Sequence, residues 1–114
     1  MTARTYLITG ASKGIGYATA TLLGKRGHTV VGVARTAPES GFPGPFHTID
    51  LGDREAAGRL FGEIAEAHGI DGILNNVGLV NPQELHEISL DAFDDVIDLN
   101  LRTAIQTVQS ALPH

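Results

Sequence analysis

Apolar positions along the chain change their period several times, and each change predicts an element. Thr5-Tyr6-Leu7-Ile8-Thr9 is a β-branched and apolar run ending at Gly10, which predicts a strand. Ile15, Ala18, Leu22 and Leu23 then recur at helical spacing until Gly27, predicting an amphipathic helix with these residues turned inward. His28 to Ala34 is almost continuously apolar, the pattern of a strand covered on both faces. Pro38 to Pro45 holds three prolines and two glycines and predicts a loop with no helix. Phe46 to Ile49 predicts a third strand. Asp53 caps a helix with the stripe Ala56, Ala57, Leu60, Phe61 and Ile64, and Gly72 to Asn76 is a fourth strand. Ser89 caps a long helical stretch with Phe93, Val96, Ile97, Ala104, Ile105, Val108 and Ala111 on one side, ended by Pro113.

Strands alternating with helices imply parallel pairing through right-handed crossovers. The predicted fold is α/β, half of a doubly wound parallel sheet with helices on both faces and about four strands. Residues 1–114 form one unit, without a repeat, low-complexity tract or linker. About ten residues separate the second and third strands, near the lower limit for a parallel crossover, so loop replaces a helix there. The fourth strand is expected to be an open edge, and one flank of the last helix to lack partners. Self-association, or association with a chain supplying further strands, is therefore expected.

Composition narrows the function. The 114 residues contain no cysteine, which excludes a disulfide scaffold, a cysteine zinc site and a thiol nucleophile. With 13 acidic against 8 basic residues the net charge is -5, unsuited to nucleic acid. No apolar run approaches the roughly 18–20 residues of a membrane helix. The N-terminus carries no apolar leader and reads as a cytoplasmic start. His28, His47, His68, His86 and His114 show no metal spacing and read as surface or loop residues, so no metal is expected. Asp91, Asp94, Asp95 and Asp98 read as a solvated acidic face where a helix dipole favours carboxylates. His86 and Glu87 follow the fourth strand, where a substrate loop would lie.

Glycine is abundant, 14 residues, and three of them stand in Thr9-Gly10-Ala11-Ser12-Lys13-Gly14-Ile15-Gly16, between the first strand and the first helix. Gly10 permits a sharp reversal, Gly14 a close approach of backbone to a pyrophosphate, and Gly16 tight packing of helix on sheet. The helix N-terminus offers unpaired N–H groups and the positive end of its dipole, to which Ser12 adds a hydroxyl and Ile15 a backbone N–H. The same pattern also suits an ordinary tight βα turn.

The spacing Gly-x-x-x-Gly-x-Gly resembles that of the short-chain dehydrogenase/reductase family. Three further motifs follow in register: Asp50-Leu51 after the third strand, Asn75-Asn76-Val77-Gly78 at the end of the fourth, and Asn100 in the last helix. The resemblance implies a Rossmann-type domain, of which this would be the N-terminal portion. It implies an adenine contact for Asp50, a coenzyme wall from Leu51, Asn76, Val77 and Gly78, and a catalytic role for Asn100, whose main chain holds a water in a proton relay. Val77 stands where the family has Ala. By spacing alone, Asn100 falls on the apolar stripe and reads equally as a core amide bonded to backbone.

The coenzyme is expected to be NADP(H) rather than NAD(H). An NAD site places a carboxylate at the end of the second strand. Here that strand ends Val33-Ala34-Arg35-Thr36, with no carboxylate before Glu39. Arg35 offers a planar fork suited to a 2′-phosphate, and Lys13 a second cation. Family chemistry also needs a Ser and a Tyr-x-x-x-Lys pair. Tyr6 is followed four later by Gly10, and Tyr17 by Thr21, so neither supplies it. The expectation is an oxidoreductase moving hydride between NADP(H) and a small carbonyl or alcohol, with these 114 residues inactive alone. A nucleotide-binding module without catalysis is the alternative.

Overall fold

The computed structural model describes residues 2–78 and 84–113. Four parallel strands form one sheet in the order β3-β2-β1-β4: β1 (Thr5–Thr9), β2 (Thr29–Ala34), β3 (Phe46–Thr48) and β4 (Gly72–Leu74). Between and after them lie α1 (Gly14–Lys25), α2 (Arg54–His68), a 3-10 turn (Leu85–Glu87), α3 (Leu90–Ile97) and α4 (Thr103–Ala111). A π-helical turn, Asp98–Arg102, joins α3 to α4.

Strand alternation divides the core. Leu7, Val31 and Val33 face α2 and pack with Ala57, Phe61 and Ile64; Ile8 and Val30 face α1 and pack with Ala20. Helices thus cover both faces. The β2–β3 connection contains no helix. β3 pairs only with Gly32, Val33 and Ala34, so the crossover has just three residues of strand to recover. Its loop is packed rather than loose. The Phe42 ring occupies the space a Cβ would take on Gly32, Phe42 meets Phe46 edge-on at 5.1 Å, and Pro43 abuts Gly24.

Two predicted stripes are turned. On α1 the buried residues are Gly16 and Ala20, with Leu23 packed beside them, whereas Ile15, Ala18 and Leu22 face outward. Small residues won the inner face because the helix lies too close to the sheet for large ones. On the last helical stretch Thr103 and Thr107 are buried, while Phe93, Ile97, Ile105 and Val108 are exposed. Polar groups fix this rotation: Gln106 Nε2 donates to Arg54 O at 2.9 Å and the Thr107 hydroxyl to Asn75 Oδ1 at 2.8 Å. Asn100 is accordingly exposed, and the core-amide reading falls away.

Candidate functional site

The carboxyl ends of the four strands open onto one cleft of about 1430 Å³. Gly10, Ser12, Lys13, Gly14, Ile15, Arg35, Asp50, Leu51, Asn76, Val77 and Gly78 all line it; Gly16 lies beneath.

The turn between β1 and α1 is left-handed at two residues, Gly10 (φ 64°) and Gly14 (φ 62°), where a side chain would be strained. A Cβ on Gly14 would meet nothing within 4 Å, so the turn presents bare backbone to open space. A Cβ on Gly16 would strike the Gly10 carbonyl oxygen and lie 2.8 Å from Asn76 Nδ2, so this glycine sets the approach of helix to sheet. Asp53 caps α2 through the Ala56 N–H, and Ser89 caps α3 through the Ala92 N–H. At α1 the capping position is Lys13, its side chain makes no cap, and no acid stands in the first turn. Among the described residues the helix therefore meets the cleft with its first N–H groups uncapped by a side chain and no acid in its first turn to offset its dipole, a donor set that fits a diphosphate.

Polar contacts fix the floor. Asn76 Nδ2 donates to Gly10 O at 3.1 Å, and the buried Thr9 hydroxyl oxygen accepts the backbone N–H groups of Asn76 and Val77. At the far wall the Gly52 N–H donates to Asp50 Oδ1 at 2.9 Å, and Leu51 is buried. Asp98 also lines the cleft; Arg102 grips it with Nε and Nη2, at 2.9 and 2.8 Å, and Arg54 reaches the same carboxylate at 3.0 Å. Hydrogen bonds from Arg102 and then Arg54 lower the Asp98 pKa to about 2. Asp98 is thus an ion-paired residue of the π-helical turn, not part of a merely solvated face.

Arg35 is exposed at the cleft rim just past β2, as is Lys13 across the turn; neither forms an ion pair among the described residues. Glu39 reaches the same rim. Asn100 sits in the π-helical turn, its Oδ1 3.6 Å from where a Cβ on Gly78 would lie, beside the cleft rather than lining it.

His86 and Glu87 are exposed outside the cleft, 3.6 Å apart. His47 departs from its surface reading: it sits on β3 with a buried Nε2 that has no hydrogen-bond partner among the described residues. His114 lies outside the described residues. Sequence reasoning assigned no role to Thr9, Tyr17 or Arg102. The four-residue spacing of Asp98 and Arg102 signalled their pairing. Nothing local signalled that the Tyr17 hydroxyl would donate to Gly41 O at 3.0 Å and pin the β2–β3 loop.

The family model for short chain dehydrogenase matches residues 4–114. The chain belongs to the short-chain dehydrogenase family. It is 37% identical over 122 aligned positions to NADPH-dependent pterin aldehyde reductase of Arabidopsis thaliana, covering 97% of this chain and 50% of that protein. It is 37% identical over 112 positions to human L-xylulose reductase, covering 93% and 45%. An NADH-dependent reductase solved in complex with NAD superposes with a TM-score of 0.83 at 34% identity, covering 98% of this chain and 52% of that one. The chain spans about half the length of these short-chain dehydrogenase relatives. The superposition covers the four-stranded parallel sheet and its helices, a Rossmann-type architecture. No described helix is long and apolar enough to cross a membrane.

Proposed function

We propose that these residues form the adenosine-diphosphate side of an NADP(H) site in an oxidoreductase that transfers hydride to or from a small carbonyl or alcohol. The observation carrying this reading is the uncapped α1 N-terminus behind two left-handed glycines at the cleft. Backbone N–H groups at Gly14 and Ile15, with the Ser12 hydroxyl, would hold the diphosphate. Gly16 sets how closely α1 approaches it. Asp50 would accept the adenine amino group, while Leu51, Asn76, Val77 and Gly78 would wall the adenosine. Arg35, assisted by Lys13, would hold a 2′-phosphate. The coenzyme, when bound, supplies or accepts the hydride.

Asn100 is read as the relay residue. It lies in the π-helical turn, a winding that recurs at functional sites, with its side chain close to Gly78 at the cleft. The 114 residues hold no Tyr-x-x-x-Lys pair, so this reading assigns them nucleotide binding and leaves proton transfer to the substrate outside them. The outward row on α3 and α4 is read as an assembly face, for a second copy or for a chain supplying further strands.

NADPH and NADH titrated separately, then again with Arg35→Ala, test the assignment. Tighter NADPH binding, lost on substitution, is expected. Equal affinity in both proteins removes the 2′-phosphate reading, and no binding at all removes the coenzyme reading.

A further inference from the structure

One peptide at the far wall of the cleft is held at both of its polar atoms. The Gly52 N–H donates to Asp50 Oδ1 at 2.9 Å, and the preceding Leu51 carbonyl accepts from Arg102 Nη2 at 2.8 Å. The Asp53 N–H donates to the Asp50 carbonyl at 3.0 Å and closes the turn around them. Arg102 has little freedom of its own. Its side chain is 13% exposed, its Nε and Nη2 engage both oxygens of Asp98, and Nη1 donates to Gln106 Oε1 at 2.7 Å. Gln106 in turn donates to Arg54 O at the start of α2. A rigid planar fork can serve these three acceptors together; a point charge on a flexible stem cannot.

We propose that Arg102 is a positioning residue for adenine recognition: its grip on the Leu51 carbonyl fixes the plane of the Leu51–Gly52 peptide, whose N–H then aims the Asp50 carboxylate. The inference rests on the reading of Asp50 as the acceptor for the adenine amino group. Removing the fork frees this peptide to rotate, and Asp50 loses the donor that orients it. The diphosphate contacts lie on α1, at the other side of the cleft, and do not depend on it. Loss of Arg102 should therefore blur which base is accepted more than whether a dinucleotide is held.

The experiment compares Kd for NADPH with Kd for its hypoxanthine counterpart, which carries a carbonyl where adenine carries the amino group. Wild type is expected to favour adenine. Arg102→Lys keeps the charge and should narrow that preference about fivefold, the size of one ordinary hydrogen bond. Arg54→Leu, which breaks an exposed contact to Asp98 without touching Leu51, should leave it intact. An unchanged preference in Arg102→Lys, or an equal loss of affinity for both dinucleotides, overturns the positioning role. If Arg102→Lys does not fold, Gln106→Leu removes one support of the fork; it should narrow the preference too, and no narrowing overturns the proposal. Wild type that binds both dinucleotides equally, or neither, defeats the reading of Asp50 itself and the inference with it.

Discussion

The hydroxyl oxygen of Thr9 lies 3.1 Å from the backbone nitrogen of Asn76 and accepts its N–H. The same oxygen accepts the Val77 N–H at 3.2 Å, so one buried side chain joins the ends of β1 and β4 where the cleft begins. Thr9→Val preserves shape and strands two N–H groups. It should destabilise the fold by about 1–3 kcal/mol, measured by urea unfolding, whereas Thr9→Ser should lose much less.

Gly14 and Gly16 should respond in opposite ways to alanine. Gly16→Ala drives a methyl into the Gly10 carbonyl and should cost about 1–3 kcal/mol of stability. Gly14→Ala meets no neighbour and should cost only about 1 kcal/mol, from its positive φ. Its larger effect should be on NADPH affinity, because the new methyl projects where the diphosphate would sit. Parallel denaturation and titration separate the two.

Glu39 stands on the rim with Arg35 and would oppose a 2′-phosphate bound there. Glu39→Gln should tighten NADPH binding while leaving NADH nearly unchanged, and the gain should shrink as salt is raised. Titrations at two ionic strengths decide it.

Asp98 gives the acid limb of stability a specific shape. Its carboxyl titrates near 2 in the fold against 3.8 when free, so its contribution is present above about pH 4 and disappears as pH falls toward 2. In Asp98→Asn that part of the slope should be absent. Unfolding midpoints of both proteins between pH 5 and about pH 2 test this.

Leu90, Phe93, Ile97, Leu101, Ile105, Val108 and Leu112 are between 43% and 78% exposed and recur at three- and four-residue steps. Such a row should drive association. Sedimentation of wild type should show a species larger than the monomer, and Ile105→Lys should shift it downward. A wild-type monomer at high concentration contradicts the assembly reading.

The strands along the chain and the glycine turn were legible because each depends on local signals: apolar runs, a three-glycine spacing, and the caps Asp53 and Ser89. Residues around the cleft were legible because strand ends meet there in any parallel sheet of this order. Helix rotation was not. Ile15 and Leu22 look like core residues, yet Gly16 and Ala20 face the sheet, since the distance between helix and sheet is set by Gly10 and Asn76 from elsewhere in the chain. Likewise the apolar stripe of the last helix lost its place to Thr103 and Thr107, whose partners come from helix backbone and from Asn75. Long-range polar contacts leave no period in a sequence.

The wider winding of residues 98–102 keeps one row of side chains in phase. Phe93, Ile97, Leu101 and Ile105 stand four residues apart, and in an uninterrupted α-helix each such step drifts about 40° around the axis. An i→i+5 turn placed midway absorbs part of that drift. Deleting a single residue there would screw α4 round by about 100°. The outward row would break in two, and Arg102 would swing off Leu51 in the same motion, so the length of this short segment ties the exposed apolar row to the far wall of the cleft.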